Sequence, residues 1–246
     1  MVLYDEGGTG RPLLLLHGLM GSAGTWRRQV PWLREFGHVY TYDAPGHRRP
    51  PPSDLTTEAF VEDLIEHVRH LGSTVLIGHS MGSLHGVCLA AARPDLVSGV
   101  VVEDIAPDFR GRTADAWAAM IRRWPQPFPD ADAVDRYFGD VAGQYFRDSF
   151  LRRDDGYHLH GDVSTFEKIS QEWGTRHFWD EWDAVRAPSL LIEGEFGITP
   201  AGQMTEMHRR NPMSTYVCVA GVAHLVHDEQ PTVYRQAVEE FLRRLQ

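Results

Sequence analysis

Gly78-His79-Ser80-Met81-Gly82 is the segment of the chain best equipped for chemistry. A serine hydroxyl is a weak nucleophile until a neighbouring base takes its proton, so a catalytic serine must stand on a tight turn with a base in reach. Here the serine lies between two glycines, after the apolar run Thr74-Val75-Leu76-Ile77 and before a helical stretch from Ser83 to Ala92. That strand–turn–helix setting is the one a G-x-S-x-G nucleophile needs. The flanking glycines remove side chains that would collide with the turn and the neighbouring backbone. Given a histidine base and an oxyanion hole, the chemistry such a serine could do is acyl transfer: attack on a carbonyl, an acyl-enzyme on Ser80, then release by water.

The base must come from elsewhere among 13 histidines. His224 stands out, because Gly221-Val222-Ala223-His224 follows the last strand pattern and precedes the last helix pattern. A loop there returns an imidazole to the carboxyl edge of the sheet, beside Ser80. His227 is its neighbour and competitor, but it lies nearer the helix start, where Asp228 reads as a cap. His158 and His160 form an H-x-H without neighbouring ligands at metal spacing, so no metal site is expected.

The elements that must position these groups are read from apolar runs and their period. Leu13–Leu16, Val39–Tyr42, Thr74–Ile77, Val97–Val102, Ser189–Ile192 and Thr215–Val219 read as strands. Helical spacing covers 57–71, 83–92, 201–210 and 231–245. Strands alternating with helices imply β-α-β units, hence an α/β fold with a mostly parallel central sheet covered by helices on both faces. From Pro107 to about Arg186 no strand pattern appears, yet five of the seven tryptophans fall there. The expected division is therefore a core of 1–106 and 187–246 and a mostly helical cap (lid) insertion over 107–186. Open α/β sheets bind ligands at the carboxyl edge, beneath such an insertion. Trp117, Trp124 and Trp179, with His79 beside the serine, are the candidate pocket residues.

With these segments in place, the chain resembles the α/β-hydrolase fold superfamily over essentially its whole length. The resemblance rests on His17-Gly18-Leu19-Met20-Gly21, Asp43-Ala44-Pro45-Gly46-His47, the Gly78–Gly82 turn and Gly221–His224. It implies an oxyanion hole made by the backbone N–H groups of Leu19 and Met81; His17 and His47 read as loop-packing residues without direct chemistry. The superfamily's usual acid position, in a Gly-x-x-Asp pattern after the strand at Ser189–Ile192, holds Gly197 instead. Some members carry the acid one strand earlier, about two dozen residues past the serine. Asp104 fits that place, 24 residues after Ser80 in Val102-Glu103-Asp104-Ile105-Ala106-Pro107. Glu195 is the alternative acid. Glu103 is a weaker one, because a persisting pleat points it to the face opposite Asp104. A chain with no acid and weakened machinery is the remaining option.

Composition narrows the partners. Lys+Arg 24 against Asp+Glu 34 gives a net charge of −10, which argues against a general nucleic-acid binder. Cys88 and Cys218 form no pairing motif and read as small buried thiols in a reducing compartment. No apolar run is long enough for a membrane span, and no secretory signal pattern opens the chain, so a cytoplasmic protein is expected. The leading function is a serine hydrolase, a carboxylesterase acting on small apolar or aromatic ester or thioester substrates without metal or organic cofactor. The alternatives are a carbon–carbon bond hydrolase of the dienoic ketone type and a receptor-like ligand binder with little turnover. Oligomeric state is not legible.

Overall fold

The computed structural model describes residues 3–112 and 114–245. The chain begins with β1 (Leu3–Gly7), β2 (Pro12–Leu16), α1 (Val30–Leu33), β3 (His38–Tyr42) and α2 (Thr57–Val68). It continues with β4 (Thr74–His79), α3 (Met81–Ala92) and β5 (Val97–Glu103). After β5 come α4 (Asp115–Ile121), α5 (Ala131–Arg147), β6 (Phe150–Arg153), β7 (Gly156–Leu159), α6 (Val163–Gln171) and α7 (Trp179–Ala184). The last stretch holds β8 (Ser189–Gly194), α8 (Gln203–Arg210), β9 (Ser214–Val219), α9 (Val226–Glu229) and α10 (Pro231–Arg244).

Seven strands form one sheet in the order β1-β3-β2-β4-β5-β8-β9, parallel except for β1, which runs antiparallel to β3. Strands buried on both faces read as continuous apolar runs, which is why Leu13–Leu16 and Val75–Ile77 carry no polar alternation. The pleat still sorts them by face. Leu14, Leu16, Leu76, Val100 and Val102 pack with Phe60, Leu64, Leu84 and Trp182 of α2, α3 and α7. Leu13, Leu15, Val75, Ile77 and Val101 pack on the other face with Trp26 and with Tyr234, Val238 and Phe241 of α10. The apolar residues of α10 recur at helical spacing, and Pro231 supplies its fixed φ at the first turn, where no N–H bond is lost.

Two readings are corrected, and one strand is added. Residues 107–186 are not free of strands, because β6 and β7 pair as an antiparallel hairpin. Their sequences, FLRR and GYHL, lack the apolar run of a core strand because most of their side chains are not buried. The added strand, β1, LYDEG, carries no apolar run for the same reason: it is an edge strand with none of its residues buried. Cys88 is buried in α3, but Cys218 is exposed on β9, the other edge of the sheet. Among the described residues no helix is long and apolar enough to cross a membrane.

Candidate active site

β4 ends at His79, and the chain then turns sharply into α3. Ser80 sits at the turn with φ 51° and ψ −121°, a backbone conformation that β-branched or bulky residues rarely tolerate. Neither neighbouring glycine can be replaced without moving backbone. A Cβ on Gly78 would lie 2.5 Å from the Ser83 nitrogen, and one on Gly82 would lie 2.2 Å from the Leu16 carbonyl oxygen. Those contacts press α3 onto β2 and β4 and fix where the hydroxyl is presented. Met81 opens α3, so its N–H belongs to the first turn, whose amides have no intrahelical partner and carry the positive end of the helix dipole. Four described non-glycine residues have positive φ, and three of them, Met20, Ser80 and Asp104, occupy the turns after β2, β4 and β5. Strain of this kind is held only where the surroundings enforce it, and it gathers at functional sites.

Asp104 is fully buried, and its carboxylate is held from two sides. Oδ2 accepts the Ile198 N–H at 2.9 Å, and Oδ1 accepts the Gly194 N–H at 3.3 Å. His224 Nδ1 lies 2.6 Å from Oδ2. That bond assigns the proton to Nδ1 and leaves Nε2 as the basic nitrogen. Gly197 leaves room for this carboxylate. A Cβ there would fall 2.0 Å from Asp104 Oδ1, so the carboxylate from β5 already fills that space. Glu195 is exposed, and its Oε2 accepts the Gly221 N–H at 2.8 Å rather than meeting His224.

The loop carrying Leu19 is built on histidines. His17 Nδ1–H donates to the Gly18 carbonyl at 2.8 Å, and its Nε2 accepts the Ala44 N–H at 3.0 Å. His47 donates from Nδ1 to the Pro45 carbonyl at 3.1 Å, and its Nε2 accepts the Met20 N–H at 3.1 Å. His160, from the segment after β7, reaches the carbonyls of Met20 and Gly21 at 3.1 and 3.0 Å through Nε2. Burial pushes all three downward, His47 well below the ordinary imidazole value and His160 to about 4. They are neutral props that use both ring nitrogens, and His158 is drawn away by Asp155 at 2.7 Å.

Ser80 and His224 line one cavity of about 470 Å³. Its walls include Leu19, Ile105, Phe109, Trp117, Phe146 and Trp173, so it is largely apolar and aromatic. Of the four expected pocket residues, His79 and Trp117 line it. Trp124 does not: its ring packs against Phe138 and Phe146 at 4.7 and 5.2 Å. Trp179 does not either, since its face is covered by the Arg210 guanidinium at 4.2 Å. Trp173, Phe109, Tyr145 and Arg112 line the cavity and were not singled out, because helix spacing says which residues share a face but not which face meets the sheet.

Behind the cavity lies a second acid–histidine pair. Glu103 and His227 are both fully buried. Glu103 Oε1 accepts the His227 backbone N–H at 2.9 Å and its Nδ1–H at 2.8 Å. Glu103 draws the His227 imidazole above its ordinary pKa despite the opposing effect of burial. The ring of His227 stands edge-on to His79 at 5.1 Å, and His79 Nε2–H donates to the His224 carbonyl at 3.0 Å. Burial, then the neighbouring His224 and His227, hold His79 well below the ordinary value, so it is a neutral donor. The pleat signal that sent Glu103 to the opposite face was present in the sequence; its partner was not.

A family model described as the alpha/beta hydrolase family matches residues 13–237. The chain is 28% identical over 249 residues to (E)-2-((N-methylformamido)methylene)succinate hydrolase of Acinetobacter baylyi, covering 97% of this chain and 93% of that one. The solved structure of E-2-(acetamidomethylene)succinate hydrolase superposes with a TM-score of 0.88 at 23% identity, covering 98% of this chain and 94% of that one. A marine microorganism esterase superposes with a TM-score of 0.80 at 26% identity, covering 97% and 98%. The strained serine turn, the parallel sheet that carries it and the match over nearly the full length agree, and the chain belongs to the alpha/beta hydrolase family.

Proposed function

We propose that the protein is a serine hydrolase that cleaves carboxylic esters, or related thioesters, of small apolar or aromatic substrates. The observation that carries the reading is the 2.6 Å bond between Asp104 and His224 Nδ1, with His224 and Ser80 lining the same cavity. In this mechanism Asp104 holds the imidazole with its proton on Nδ1, and Nε2 takes the Ser80 proton as Oγ attacks the carbonyl carbon. The oxyanion is received by the N–H groups of Leu19 and Met81, donors set in place before reaction by the histidine props and by α3. The proton on Nε2 then passes to the leaving alkoxide. Water, deprotonated by the same nitrogen, hydrolyses the acyl-enzyme. Residues 107–186 act as the lid, and their aromatic side chains select the apolar body of the substrate.

The test is hydrolysis of p-nitrophenyl esters from acetyl to long acyl chains by the wild type and Ser80→Ala. The expected outcome is turnover that falls by at least about 10⁴-fold on Ser80→Ala, with an optimum at short to medium chains. Absence of Ser80-dependent turnover on every ester overturns the reading and directs attention to dienoic ketones or to ligand binding without turnover.

A further inference from the structure

The cavity is apolar but not neutral. Among the described residues no Asp or Glu lines it, and Arg112 is its one arginine or lysine. In a chain of net charge −10, neighbouring guanidinium groups find carboxylates: Arg110 meets Asp108 at 2.7 Å and Arg176 meets Glu181 at 2.7 Å. Arg112 has no carboxylate partner among the described residues. It is held instead by neutral contacts, with Nη1 donating to the Ile198 carbonyl at 2.6 Å and the guanidinium 5.4 Å from the Phe109 ring. Those contacts leave further N–H donors of the fork unused. Ile198 also donates its N–H to Asp104, so the cation is anchored on the loop that supports the acid.

A second donor lines the same cavity. It is Trp173, whose indole Nε1–H is buried without a hydrogen-bond partner. The two segments are stitched together, since the Gly111 N–H donates to the Gly174 carbonyl at 3.0 Å. A buried orphan donor and the exposed guanidinium of Arg112, lining one cavity with no acid among the described residues, are the chemistry an anion would use.

We propose that Arg112, with the Trp173 N–H, forms an anion subsite, and that the substrate is an ester whose apolar body ends in a carboxylate. The substrate class rests on the hydrolase reading above; the subsite itself does not, and the experiment separates them. Binding of 4-phenylbutyrate and of neutral 4-phenylbutyramide is measured by calorimetry on Ser80→Ala, and again with Arg112→Met or Arg112→Lys added. The expected result is a preference for the carboxylate of about tenfold or more, abolished by Met and partly kept by Lys. Equal affinity for acid and amide, or a preference untouched by Arg112→Met, overturns the subsite. In parallel, the kcat/KM ratio of p-nitrophenyl hemisuccinate to p-nitrophenyl valerate should fall by about tenfold or more in Arg112→Met. A ratio unchanged with Ser80-dependent turnover present refutes the substrate class alone. Loss of all turnover with the binding preference intact refutes the ester reading and leaves the subsite standing.

Discussion

Gly197 is the position at which the arrangement of the acid can be tested most sharply. Its φ lies outside the left-handed region, so an alanine there meets no backbone strain, and Gly→Ala at a compatible site ordinarily stabilises by about 0.4–1 kcal/mol. The added Cβ, however, would lie 2.0 Å from Asp104 Oδ1 and 2.6 Å from Cγ and Oδ2. Carbon–oxygen contacts relax only beyond about 3.3 Å, so the carboxylate must retreat by more than about 1 Å. That is enough to break the 2.6 Å bond to His224 and the 2.9 Å bond from Ile198. A misplacement of about 1 Å costs roughly 10²-fold, and full loss of the acid's role roughly 10⁴-fold. Gly197→Ala should therefore lower kcat on a p-nitrophenyl ester by about 10² to 10⁴-fold with KM little changed, while thermal melting shows a folded protein. Moving the acid is the complementary test. In Asp104→Gly with Gly197→Asp, the new side chain starts from the space the old carboxylate filled, and kcat should recover at least about tenfold over Asp104→Gly alone. A Gly197→Ala enzyme within about threefold of the wild type would refute the claim that Asp104 works from that space.

Two further predictions concern stability and its pH dependence. Glu103→Gln removes the nearer counter-charge of a buried imidazole, leaving Asp228 at 3.6 Å from Nε2, and should cost about 3 kcal/mol by urea denaturation at pH 6. Because the folded-state pKa of His227 is raised, the pair's contribution is full below the unfolded value near ~6.5 and fades as pH rises through the folded one. The penalty should thus be smaller at pH 9, and an equal penalty at both pH values would sink the ion-pair account. His47, His79 and His85 carry the opposite sign: burial depresses each, His85 to about 3. Their contribution is full above ~6.5 and is lost as pH falls, at up to about 1.4 kcal/mol per unit for each, offset in part by His227. The urea midpoint should fall steeply from pH 7 to pH 5 and less steeply in His85→Leu; a flat midpoint would contradict buried neutral histidines.

What could be read in the sequence depended on whether the signal was local. Ser80 and its turn were legible because glycine, serine and strand context are all encoded within a few residues. Leu13–Leu16 announced a strand buried on both faces, and LYDEG at β1 did not, since an edge strand has no such demand on its side chains. Asp104 and Glu103 could be told apart only through the pleat, which carries the alternation of Val100, Val101 and Val102 one step further. The aromatic residues of 107–186 show the limit. Trp117 and Trp124 lie seven residues apart, yet one lines the cavity and the other is packed against Phe138. That difference is decided by how α4 and α5 lean on their neighbours, and no period in the sequence records it.

The pairing of two adjacent acids with two histidines three residues apart explains how His224, the proposed base, is held. Glu103 fixes the backbone of His227, Glu229 accepts the N–H groups of Ala223 and Leu225 at 2.9 and 3.1 Å, and His79 donates to the carbonyl of His224 itself. The backbone on either side of His224 is therefore bound before any partner touches its ring. What remains free is rotation of the side chain, and that is the freedom the Asp104 bond removes. The division of labour follows from geometry: Glu103, Glu229 and His79 determine where the imidazole stands, and Asp104 determines which nitrogen faces the cavity. Loss of the first kind should lower stability and rate together, whereas loss of Asp104's bond should lower the rate with the loop still in place.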